Sequence, residues 1–153
     1  MKDLRTLLSS EALRKLRSSY DAGVMSEAMA STVARPYSPL SPWNDGIAHT
    51  FYAASSPLAS VDRERCLIAL LTCTGPDLSL AVHVYWGLME GLSIDEVCHT
   101  IGLAASYAGV PRLAYAFPVV SRLFELLERT TQGSKADARE ILRAVLEEFA
   151  EHA

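Results

Sequence analysis

Cysteine is scarce in this 153-residue chain, which has three: Cys66, Cys73 and Cys98. The number is odd and no C-x-x-C pair occurs. That excludes a disulfide framework, a zinc knuckle and a thioredoxin-type dithiol, and the apolar neighbours of Cys66 (ERCLIALL) point to reduced, buried thiols. The four histidines, His49, His83, His99 and His152, lack metal-ligand spacing as well. Positive charge is also short: 14 Lys and Arg stand against 18 Asp and Glu, a formal net charge of −4. A nucleic-acid binder needs a basic face to release counterions, so that class is disfavoured. No apolar run approaches the roughly 20 residues that cross a bilayer; the longest is Cys66 to Leu71. The N-terminus (MKDLRTLLSSEALRKLRSSYDAG) carries charges throughout and has no apolar stretch of signal-peptide length. These absences lead to the expectation of a cytoplasmic protein that binds neither nucleic acid nor membrane.

What is present is hydrophobic residues, half of the total, arranged with helical rather than strand-like periodicity. That content is enough for a core and rules out disorder as the main state. Ser10 is placed to cap a first helix running toward Gly23, with Leu13 and Leu16 on one side. Residues 35–45 (RPYSPLSPWND) hold three prolines and predict an ordered connector, followed by a short helical stretch, GIAHTFYAASS. Three helices with very short connections come next. Ser60 precedes VDRERCLIALLTCTG, Pro76 and Asp77 open DLSLAVHVYWGLMEG, and Ser93 with Glu96 forms a capping box for IDEVCHTIGLAASYAG. A helix bent at Pro118 follows from Pro111, and a last amphipathic one covers Ser134 to His152, with Ile141, Leu142, Val145, Leu146 and Phe149 on one face. The expectation is one all-α domain of about seven helices. The helices of Val61–Cys73 and Leu78–Met89 are apolar on nearly every side and must be covered all round, which predicts a homo-oligomer.

Against the apolar background of DLSLAVHVYWGLMEG stand Ser79, His83, Gly87 and Glu90, which share one helical face. Such a narrow, small, polar face suits the lining of a site; it equally suits a solvated stripe, or a histidine bonded to a backbone carbonyl. Glu64 also has two readings. A carboxylate in the first turn of a helix stabilises that end by about 0.3–1 kcal/mol without further purpose, and it can pair with Arg63, Arg65, Arg14 or Arg17. Alternatively, the short turn after Gly75 folds its helix back onto that of His83, and a carboxylate beside an imidazole fixes its tautomer and assembles an acid–base pair. Ser79 has no nucleophile-elbow context, and Tyr107 ends a helix where most tyrosines belong to the core. Ser79, Trp86 and Tyr107 are candidate substrate contacts, and Arg63, Arg65 and Arg112 are available to an acidic compound.

The run from Val61 to Phe117 resembles the carboxymuconolactone decarboxylase family, whose wider group includes alkyl hydroperoxidase D. The resemblance is carried by R-E-R at Arg63–Arg65, by His83 with Gly91 eight residues on, by the turn Leu92–Glu96, and by Tyr-Ala-Gly-x-Pro at Tyr107–Pro111. It implies an all-helical fold that assembles as a trimer or hexamer, with a family-like core at about residues 46–130, an N-terminal helical extension over 1–45 and a C-terminal helix over 134–152. It maps the peroxidase branch's glutamate onto Glu64 and its histidine onto His83. The two cysteine positions of that branch fall on Pro76 and Ser79, so its dithiol chemistry cannot operate here. The decarboxylase branch implies loss of CO₂ from a small organic acid or lactone through an enolate-like intermediate, with His83 as acid–base, Glu64 as its partner and no metal or organic cofactor. Two alternatives stand beside it: a non-catalytic oligomeric binding module of the same fold, and a peroxidase using a single thiol.

Overall fold

The computed structural model describes residues 3–25, 56–132 and 137–150, together with Gly46, Thr50 and Tyr52. Its described residues form helices and no strand. A 3-10 turn at Leu4–Thr6 leads into α1 (Ser10–Ser19), and after the connector come α2 (Ser60–Thr74), α3 (Asp77–Glu90), α4 (Ile94–Ala108), α5 (Pro111–Thr131) and α6 (Ala138–Ala150). The proline-rich stretch 35–45 and most of GIAHTFYAASS, His49 included, lie outside the described residues, as does His152.

The boundaries follow local chemistry. Gly75 and Gly91 end α2 and α3 with φ of 88° and 123°, a region in which a Cβ would be strained. Ser93 and Glu96 form the expected capping box at the start of α4. Three expected boundaries shift. Ser9, not Ser10, caps α1 by accepting from the Ala12 N–H, and that helix stops at Ser19, before Gly23. The last helix starts at Ala138, where the Asp137 carboxylate accepts from the Glu140 N–H at 2.9 Å. At Pro118, α5 runs on as a single helix; the ring is exposed, so the missing N–H falls on the solvent side.

Helix α3 is the centre of the molecule. Its residues from Leu80 to Met89 are all buried, and it packs against α1, α2, α4, α5 and α6. An all-round apolar helix must be covered all round, and here one chain supplies the cover. The argument for an oligomer therefore does not rest on α3. It rests instead on α2 and α4, which leave Leu70 56% and Leu103 63% exposed. The thiols correct another expectation: Cys66 is exposed, Cys73 and Cys98 are half-buried, and all three are free.

The N-terminal segment is tied to α3 by polar contacts as well as by buried Leu8 and Leu16. Arg17 donates from Nε to the Leu88 carbonyl at 2.8 Å and from Nη2 to the Leu92 carbonyl at 2.9 Å. It thereby satisfies acceptors at a helix end that the helix itself leaves open. On α5, Glu128 accepts from the Ser9 N–H at 2.8 Å.

Helices α2 and α3 approach closely at Gly87. A Cβ built there would lie 2.7 Å from Leu92 Cδ1, 3.2 Å from Ile68 Cδ1 and 3.4 Å from Glu64 Cβ. Leu92 and Ile68 are fully buried and have little room to yield. Gly87→Ala gains about 1 kcal/mol of helix propensity but overpacks this seam, which costs about 1–3 kcal/mol. The expected outcome is a net destabilisation of about 1 kcal/mol in urea unfolding; a variant more stable than the parent contradicts the close approach.

Candidate functional site

Across that seam the fold brings Glu64 and His83 together. Glu64 is the fifth residue of α2, one turn in from its start, and points inward; the acid in the first turn is Asp62. Glu64 is 0% exposed and His83 7%. The His83 ring nitrogen Nδ1 lies 2.8 Å from Glu64 Oε2, and Arg63 donates from Nε to Glu64 Oε1 at 3.0 Å. A carboxylate without water needs donors and an opposite charge. Arg63 supplies the permanent charge and His83 the second bond. An ionised carboxylate only accepts; with Glu64 in that form, the bond takes the proton on Nδ1 and leaves Nε2 for other chemistry. Of the two readings of Glu64, the geometry matches the inward pair rather than a helix-end charge.

An aromatic group surrounds the pair. Trp86, one turn along α3, stacks on the His83 ring with centroids 6.0 Å apart and planes at 12°. Tyr52 stacks on Trp86 at 5.2 Å and 24°. The Arg63 guanidinium carbon lies 4.3 Å from the Tyr52 ring centroid and 5.6 Å from that of Trp86, within the range of cation–π attraction. Burial, with the Glu64 charge adding to it and Arg63 offsetting it, pushes the Tyr52 hydroxyl above its ordinary range.

The other sequence candidates divide. Ser79 is half-buried, one turn before His83 on α3. Tyr107 is 89% exposed at the end of α4, so it is neither a core residue nor brought to the pair within this chain. Arg65 is taken up by Asp62 and by Glu96 at 3.0 Å, away from the pair, and Arg112 lies against the Gly75 turn. His99 is exposed. Pro76 occupies the position before the first residue of α3 and makes no side-chain cap. Among the described residues no group of three or more His, Cys, Asp or Glu is placed to hold a metal ion, and no helix is long and apolar enough to cross a membrane.

Sequence reasoning placed Glu90 on the His83 face and Ser60 before α2 but gave neither a partner, and it gave no role to Tyr20 or Tyr52. Glu90 accepts from the Tyr20 hydroxyl and from the Ser60 hydroxyl, both at 2.6 Å, and from Trp86 Nε1 at 3.3 Å. The only signal for it was its place on the His83 face; its donors lie as far as 70 residues away in the chain, and no local pattern announces them. Burial alone would raise the Glu90 carboxyl. The bonds from Ser60, Tyr20 and Trp86 and the charge of Arg63 outweigh burial and hold it below the usual carboxylate range. Burial and the Glu90 bond push the Tyr20 hydroxyl upward in turn. A group whose folded value is depressed contributes stability above its unfolded value and loses it as pH falls through the folded one. The parent protein should therefore lose unfolding free energy more steeply than Glu90→Gln as pH falls from about 5 toward 3. Equal losses of unfolding free energy over that pH range in the two proteins, read from urea denaturation at each pH, would contradict the bonded carboxylate.

This arrangement can exchange a proton at His83 Nε2 while Glu64 and Arg63 hold the ring from behind. The model of the carboxymuconolactone decarboxylase family matches residues 43–122, just over half the chain. That span contains α2, α3, α4, the first part of α5 and both members of the pair. No curated protein and no solved structure matches the chain. On the family match, with its all-helical fold, the chain belongs to the carboxymuconolactone decarboxylase family.

Proposed function

We propose that the protein is an acid–base enzyme acting on a small organic acid or lactone, with decarboxylation through an enolate-like intermediate as its reaction. The observation that carries this reading is the 2.8 Å contact between His83 Nδ1 and a Glu64 carboxylate that is 0% exposed. In the reaction the bond from substrate carbon to carboxylate breaks and CO₂ leaves. The electron pair moves into the conjugated carbonyl, and the imidazolium at His83 gives its Nε2 proton to carbon. Glu64 stabilises the imidazolium and fixes its orientation, and the return of a proton to Nε2 closes the cycle. Trp86 and Ser79, on the same helix as His83, are proposed substrate contacts. The scheme calls for no metal or organic cofactor, and Pro76 and Ser79 in the dithiol positions argue against peroxide reduction through a disulfide. A single-thiol peroxidase gains no support from Cys98, whose thiol is pushed up by burial and by Asp95, away from the thiolate that would react.

The test is turnover of carboxymuconolactone, followed by loss of substrate and release of CO₂. His83→Ala should lower kcat by about 100- to 10,000-fold with its circular dichroism unchanged, and Glu64→Gln should displace the pH–rate profile. Full activity in His83→Ala sinks the assignment.

A second reading, a binding module assembled from copies of this chain, is favoured by one observation. Leu103 and Tyr107 on α4 and Val110 just after it are 63%, 89% and 73% exposed, which is unusual for large apolar side chains close together in sequence. We propose that copies of the chain cover this face in a trimer or hexamer, in either the enzyme or the binding module. The packing of α1 and α6 onto α3 supports treating residues 1–153 as one domain, and the free thiols fit a cytoplasmic setting. Sedimentation should give a mass several times that of the chain for the parent protein and a smaller one for Leu103→Glu; a monomeric parent ends the assembly proposal.

A further inference from the structure

Of the members of the His83 face that carry a polar side chain, Ser79, His83 and Glu90, only Glu90 has no part in the proposed chemistry. It is the last residue of α3, where the negative end of the helix disfavours a carboxylate. Three donors from three parts of the chain converge on it there. Tyr20, just past α1, and Trp86, in α3, both donate to Oε1, and Ser60, the first residue of α2, donates to Oε2.

We infer that Glu90 is a positioning residue for the Glu64–His83 pair and acts through Trp86; the inference rests on the acid–base reading of that pair. Two observations make the connection. First, the indole held by Glu90 is the ring stacked on His83 at 12°, and its further neighbours are Tyr52, stacked on it at 5.2 Å, and Arg63, which donates to Glu64. The indole thus touches His83 directly and meets Glu64 through Arg63. Rotation of the indole about its side-chain bonds would disturb both contacts, and the bond from Nε1 to Glu90 restrains that rotation. Second, Ser60 lies one turn before Glu64 on α2, and Glu90 lies two turns after His83 on α3. The Ser60–Glu90 bond is therefore a second rung between the same two antiparallel helices, parallel to the Glu64–His83 rung. It fixes the register in which the first rung forms.

The test uses the full chain with Trp43→Phe, which leaves Trp86 as the only tryptophan. A protonated imidazole accepts an electron from an excited indole in contact with it, so protonation of His83 should quench the Trp86 emission. The quenching step should be missing from His83→Gln. Glu90→Gln keeps an acceptor oxygen in place and should keep the step. Glu90→Asp keeps the charge but draws the oxygens back by one methylene, and should reduce the amplitude about threefold or more. Equal steps in Glu90→Asp and the parent overturn the inference, as does equal loss in Gln and Asp, which would make charge rather than position the cause. A step absent from the parent, or persisting in His83→Gln, overturns it too, because the stacked pair would then not exist in solution. Turnover of the lactone by the same proteins tests the acid–base reading separately. One readout needs no change at Glu90: the Trp86 indole N–H should exchange slowly with deuterated solvent, and exchange at the rate of free indole removes the restraint on which the inference depends.

Discussion

A carboxylate without water is the constraint around which this fold is organised. Glu64 is fully buried, and an ionised group in that position costs several kcal/mol unless it is bonded and balanced. Two donors meet the need, one permanently charged and one able to change charge, Arg63 and His83. Because Arg63 keeps its charge, the carboxylate retains a partner in either state of the imidazole, which is what the proposed acid–base reaction requires of the pair. Arg63 in turn is braced against Tyr52 and Trp86, and so the aromatic group belongs to the same arrangement.

The helices explain why the pair forms where it does. A turn of two residues, Gly75 and Pro76, reverses the chain between α2 and α3, which forces the two helices to pack antiparallel. Gly87 lets them approach until Glu64 and His83 are within hydrogen-bond reach. Surrounding α3 with five other helices then removes water from the seam and lowers the local dielectric, which strengthens each of these contacts.

Much of this was legible in the sequence because it is local. The caps of α4, the glycine stops of α2 and α3, and the polar face of α3 are all set by residues within one or two turns of each other. The Glu64–His83 pair could be anticipated because the intervening turn is short and the family resemblance marks both positions. What escaped was of two kinds. The donors to Glu90 come from distant segments, Tyr20 and Ser60, and a pattern read along the chain does not register such contacts. Burial of α3 by its own chain escaped for a related reason: hydrophobicity states that a helix must be covered but not by what. Cys66 shows the reverse error, since apolar neighbours in sequence suggested burial while its position on α2 faces outward.

The clamp of Arg17 on the end of α3 has a consequence for the order in which the protein comes together. Its acceptors lie 71 and 75 residues further along, and the carboxylate that binds Ser9 lies 119 residues further. Chain synthesis makes α1 before the helices that carry these partners. Contacts of such long range are closed late, after local helix pairs have formed. The α2–α3 pair, in contrast, closes across a turn of two residues, Gly75 and Pro76, so the Tyr20–Glu90 bond joins segments far apart in the chain to a pair that forms locally.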